Sequence, residues 1–125
     1  MAQLLSVNSS EFQRIVALTN LMKIDGYSDK SEKAFIQAYI SQHSFDDEAL
    51  AALQVIIENQ EISKVQLDII KQDPKEAQAT LVLMVALSKE DGAVHELEKK
   101  YIYEVAQYLG FSKEQVDNHF NGMPF

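Results

Sequence analysis

Two stretches of the chain carry the same acidic pattern. Asp25-Gly26 is followed after five residues by Glu32-Lys33-Ala34-Phe35-Ile36, and Asp91-Gly92 after five by Glu98-Lys99-Lys100-Tyr101-Ile102. Carboxylates at this spacing around a turn can do two kinds of chemistry: they can close a helix by accepting backbone N–H groups, or they can supply hard oxygen ligands to a divalent cation. Asp25, Glu32, Asp91 and Glu98 are therefore the candidate metal ligands, with calcium or magnesium as the expected ion and no organic cofactor. Asp29 and Glu90 are possible further ligands, each present in one copy only.

The spacing resembles the second half of an EF-hand loop, with Asp25, Gly26 and Glu32 at its fifth, sixth and twelfth positions. The first half excludes that motif, because its opening ligands would fall on Leu21 and Lys23 in one copy and on Leu87 and Lys89 in the other. Capping explains the glutamates: each stands three residues beyond Asp29 or His95, as in a capping box. The aspartates face a different constraint. Each would lie at the negative end of an incoming helix, where a carboxylate is unfavourable, so either neighbouring N–H groups or a cation must hold it. If the two turns meet, each like-charge pair at about 5 Å costs on the order of 3 kcal/mol at an effective dielectric of 20. Such a meeting calls for a counter-ion.

The turns belong to a longer repeat. Residues 11–50 and 77–116 align without a gap at an offset of 66, with identities that include Leu21/Leu87, Lys23/Lys89, Phe45/Phe111 and Glu48/Glu114. An internal repeat of this length predicts two copies of one helical unit. In the first copy, Asn8 and Glu11 have capping-box spacing ahead of Phe12, Ile15, Val16, Thr19 and Met22, which recur at helical period. That helix ends near Asp25-Gly26, a second runs to about Gln42, and Asp46-Asp47-Glu48 open a third. Residues 51–73 have no counterpart in the repeat and predict the end of the third helix and a short fourth.

Asp73-Pro74-Lys75-Glu76 joins an N-cap, a proline at the first helical position and a glutamate at the third, predicting a fifth helix to about Lys89. The run Leu81 to Leu87 is apolar on all sides, which predicts that this helix is central. Ile102, Val105, Ala106 and Leu109 form one stripe of a sixth helix and Tyr101, Val105 and Tyr108 an adjacent one, closed by Gly110. Ser112 and Gln115 cap a seventh. The expectation is an all-α, internally duplicated bundle of about seven helices, forming a single domain over residues 1–125.

Composition narrows the function. With 125 residues and 46% apolar content, the chain suits one domain, which at this size buries about two-thirds of its unfolded surface. A net charge of -8 with scattered basic residues argues against nucleic acid and favours cations or basic partners. The longest apolar run is far below the ~18 residues of a membrane span, no secretory pattern opens the chain, and cysteine is absent. The expected protein is soluble and cytoplasmic, without direct membrane insertion. His43, His95 and His119 read as surface or cap residues, although His95 beside Glu96 and Glu98 could add a nitrogen ligand. No nucleophile elbow, phosphate loop or dinucleotide fingerprint occurs, so no enzyme is expected. Tyr27, with Phe120, Pro124 and Phe125, is a candidate partner-binding patch.

Ala86-Leu87-Ser88-Lys89-Glu90-Asp91-Gly92-Ala93-Val94 and Leu109-Gly110-Phe111-Ser112, with Asp25, Gly26, Asp29 and Glu32 in the first copy, resemble the TerB-like family. This is the all-helical tellurite-resistance domain, which is also similar to the N-terminal cytosolic part of DjlA-type co-chaperones. The resemblance implies a stress-response or scaffold role and an acidic metal site on Asp25, Glu32, Asp91 and Glu98. The alternative is a metal-independent protein-protein interaction module whose acidic turns serve only as caps.

Overall fold

The computed structural model describes residues 4–24, 30–59, 61, 67–90 and 94–125. Asp25, Tyr27, Asp29 and Asp91 lie outside these. Among the described residues there are seven helices: α1 Ser10–Lys23, α2 Lys30–Ser41, α3 Asp47–Glu58, α4 Asp68–Lys71, α5 Pro74–Ser88, α6 Glu96–Leu109 and α7 Lys113–Phe120. The only strand-like pairing among them is an isolated parallel bridge between Leu5 and Phe45, where Leu5 N–H donates to Ser44 O at 2.8 Å and Asp46 N–H to Leu5 O at 2.9 Å. The bridge fixes the N-terminal segment against the start of α3. The duplicated order is visible in the helix starts: α2 begins at residue 30 and α6 at 96, α3 at 47 and α7 at 113, each pair one repeat offset of 66 apart.

Most helix ends follow the capping logic of the sequence. Asp46 Oδ1 accepts from Ala49 N–H at 2.8 Å, Asp73 Oδ1 from Lys75 N–H at 3.0 Å, and Ser112 with Gln115 closes a capping box. Gly110 ends α6 with φ +94°, a left-handed conformation that glycine adopts without strain. The first cap differs from expectation. Ser9, not Asn8, is the N-cap of α1: its hydroxyl donates to Ser6 O at 2.7 Å and accepts from Phe12 N–H at 3.2 Å. That single hydroxyl satisfies both sides of the turn.

The central helix is also not the expected one. α1 is buried on every side from Gln13 to Lys23, while α5 leaves Val82 and Ala86 open to solvent. α1 packs against α2, α3, α4, α5 and α6. Burying Gln13, Arg14, Asn20 and Lys23 would be costly without partners, and each has one. Gln13 Nε2 donates to Asp68 Oδ1 at 3.0 Å while its Oε1 accepts from Ile70 N–H at 3.4 Å, which ties α4 to α1. Asn20 Nδ2 donates to Tyr101 Oη of α6 at 3.2 Å.

Arg14 joins three helices. Its Nε donates to Thr80 Oγ1 at 3.0 Å, its Nη1 to Tyr39 Oη at 2.7 Å, and its Nη2 forms an ion pair with Glu76. Burial disfavours the guanidinium charge, but the bonds to Tyr39 and Glu76 more than offset it, and its pKa is raised. Arg14 and Thr80 are repeat-matched positions, so α1 and α5 meet where two-fold packing would bring equivalents together.

The stripe Ile102, Val105, Ala106 and Leu109 is buried as the period predicts, but the adjacent one emerges at Tyr108, which is exposed with Lys71 Nζ 4.5 Å from its ring centre. Tyr103 instead reaches α7 and donates its hydroxyl to Asp117. That bond, with burial and the carboxylate charge, pushes the Tyr103 phenol up to about 12.

Two measurements test these ties. Arg14→Ala should cost on the order of 3 kcal/mol in urea unfolding and Thr80→Val about 1 kcal/mol, since the first strips a buried ion pair and the second one hydrogen bond. The Tyr103 phenol has a higher pKa folded than unfolded, where it is about 10. Its contribution is therefore complete below pH 10 and is lost as pH rises toward 12, so the fall in urea midpoint between pH 9 and pH 11 should be smaller in Tyr103→Phe.

Candidate functional site

Glu32 and Glu98 occupy one structural position twice. Each is the third residue of its helix, α2 or α6, at the N-terminal turn where the helix dipole favours negative charge. Both are buried, with relative exposures of 5% and 2%. A carboxylate this far from water needs hydrogen bonds or a cation. Glu98 Oε1 accepts from His95 N–H at 3.1 Å, the reciprocal half of a capping box, with His95 as N-cap of α6. The third-residue place follows from local sequence; the burial comes from packing against the other helices.

The end of α1 lies against α6. Ile24, which precedes Asp25, lines a shallow depression of about 160 Å³ with Leu97, Lys100, Tyr101 and Glu104 of α6. The bond between Asn20 and Tyr101 lies one helical turn back along α1 and holds the same contact. The exit of the first copy's leading helix thus sits beside the helix that follows the second copy's turn. Of the four candidate ligands, the structure places Glu32 and Glu98; Asp25 and Asp91 fall outside the described residues, as does Asp29. Among the described residues, no group of three or more His, Asp or Glu side chains stands at metal-binding spacing.

Periodicity did not reveal the lysines. Lys23 is buried, and its ammonium donates to Ile56 O and, at 3.2 Å, to Glu61 O, beyond the last turn of α3. Its repeat match Lys89 donates to Phe120 O at the end of α7 at 3.0 Å. Cations suit helix C-termini, whose last carbonyls lack intrahelical donors. In each copy, the lysine two residues before the D-G turn therefore ties that approach to the third helix of its own half. Their identity across the repeat is the sequence signal for this shared role. Burial lowers the Lys23 pKa by penalising the charge.

The remaining candidates resolve locally. His43 Nδ1 lies 2.9 Å from Tyr39 O and its ring packs against Tyr39, while His119 stacks on Phe125 with ring centres 4.4 Å apart. Phe125 also meets Phe111 edge-on at 5.4 Å, and Phe120 lies beneath Lys89 and Lys99, each 5.8 Å from its centre. Phe120 and Phe125 are half-buried against the core, so the expected C-terminal aromatic patch is largely spent on holding α7 and the tail in place.

The cap has a measurable signature. Glu98→Ala should lower unfolding stability by about 1 kcal/mol or more, whereas Glu98→Gln, which can still accept from His95 N–H, should retain most of it; thermal melts of the two variants make the comparison.

A family model described as "Tellurite resistance protein TerB" matches residues 11–119, and the chain belongs to that family. No curated protein and no solved structure matches it in the same comparisons.

Proposed function

We propose that this TerB-family domain is a cytoplasmic, non-catalytic adaptor of a stress response that holds a hard divalent cation, calcium or magnesium, through its duplicated acidic turns and works by engaging a protein partner. The ligands in this reading are Asp25, Glu32, Asp91 and Glu98. The observation that supports it is the burial of two repeat-matched glutamates at the first turns of α2 and α6, beside which the sequence sets two further aspartates. The donor chemistry fits: all four are carboxylates, the ligands such ions prefer. A carboxylate has about four acceptor sites, so the cap at His95 and a bond to a cation are compatible on Glu98. The ion would neutralise the acidic turns and cross-tie the two halves.

The metal-independent reading draws on the same cap. If capping is the whole role of Glu98, the domain is an interaction module whose turns need no ion. Calcium and magnesium titrations of the wild type beside an Asp25→Asn/Asp91→Asn variant separate the two. Saturable binding should raise wild-type stability by about 2.7 kcal/mol at 100 times the dissociation constant and leave the variant unchanged. Identical melting curves for the two proteins with and without either ion would remove the cation and leave the interaction module.

A further inference from the structure

The repeat exposes a face on α5 that its counterpart on α1 keeps covered. Val16 and Val82 are the same residue at matched positions, yet Val16 is 5% exposed and Val82 37%. Ala17 and Asn20 are fully buried, whereas their matches Leu83 and Ala86 are half-buried and exposed. The difference lies in what packs alongside. α1 is flanked by both α3 and α4, whereas in the second half α7 docks mainly on α6. The uncovered face of α5 is a shallow groove of about 380 Å³ lined by Lys75, Gln78, Ala79, Val82 and Leu83.

The chain itself carries a helix face that complements this groove. The outer side of α3 exposes Leu50 at 37% and Val55 at 65%, with Ala51 between them and Glu58 at the C-terminal end. Along α5 the face runs Lys75, Ala79, Val82 and Leu83, Ala86; along α3, read in reverse, it runs Glu58, Val55, Ala51, Asp47. Both follow the three- and four-residue steps of one helical face. Laid antiparallel with Glu58 against Lys75, the two set Val55 beside Ala79 and Ala51 beside Val82 and Leu83, so that each larger apolar side chain meets an alanine that allows close approach of the backbones. Neither Lys75 nor Glu58 forms an ion pair among the described residues.

We propose that α5 of one copy receives α3 of a second copy, so that the chain self-associates through two different faces. Such a contact either closes into a small ring or adds further copies. The pairing of large with small apolar residues and of one opposite-charge pair, Glu58 with Lys75, at a single register is the ground for a second copy as the occupant.

Sedimentation of the full chain over a range of concentrations tests this, with Val82→Glu to block the α5 face and Val55→Glu to block the α3 face. Both positions are solvent-facing, and circular dichroism checks that the helices persist. Each variant should raise the apparent dissociation constant at least about tenfold, which is a loss of about 1.4 kcal/mol. An equimolar mixture should recover a species that stops at the dimer, because only one α3 and one α5 remain competent. Lys75→Glu and Glu58→Lys, each weakened alone and restored when mixed, give the same answer without touching apolar packing. A wild type that stays monomeric at every concentration, self-association indifferent to all four substitutions, or mixtures no stronger than the single variants would each overturn the proposal.

Discussion

Burying one helix on all sides is the constraint from which the rest of this fold follows. From Gln13 onward α1 has no solvent face, so the polar groups it carries must be met inside the protein. Gln13 is met by α4, Arg14 by α2 and α5, Asn20 by α6, and Lys23 by the end of α3. These bonds do more than offset desolvation. Directional partners at four points along one helix fix the register of every neighbour, which apolar packing alone specifies less sharply. Of the two charged members, Arg14 stays ionised because Tyr39 and Glu76 supply acceptors where water cannot, and Lys23 meets backbone carbonyls at the end of α3.

Duplication then gives the bundle its two related halves, and the halves are not equal. Arg14 meets its repeat match Thr80, the second and third helices of each half begin one offset apart, and the matched lysines perform the same service at the ends of α3 and α7. The departures come from residues outside the repeat. The segment 51–73 supplies α4, which packs on α1, α5 and α6, and it completes the sheath around the first copy's leading helix. The second copy's third helix turns toward α6, held by Tyr103 and Asp117 and by the aromatic contacts of Phe111, His119 and Phe125. One leading helix became the core, and the other kept an open face.

The acidic turns sit within this asymmetry. Their glutamates are set by local rules, at the third residue of a helix where the dipole and a backbone N–H both favour a carboxylate. Their burial is a tertiary property, since α2 and α6 must each press that turn against the rest of the bundle. Anchoring by Lys23 and Lys89 makes the approach to each turn part of the frame, tied to the third helix of its half. Glu98 is thereby held by a backbone N–H at the start of its helix, within a chain that belongs to the TerB family.

What the sequence determined by itself was whatever depends on neighbours along the chain. Capping residues at Asp46, Asp73 and Ser112, glycine at 110 and the offset of 66 were enough to set an all-α duplicated bundle and most of its helix ends, because those interactions span three or four residues. Only the tertiary structure decided which helix lies at the centre. An all-apolar run such as Leu81 to Leu87 signals burial, but Gln13, Arg14, Asn20 and Lys23 signal solvent until their partners, from 25 to 81 residues away, are in place. Polar groups can be buried when distant acceptors replace water, and no local pattern records where those acceptors will be.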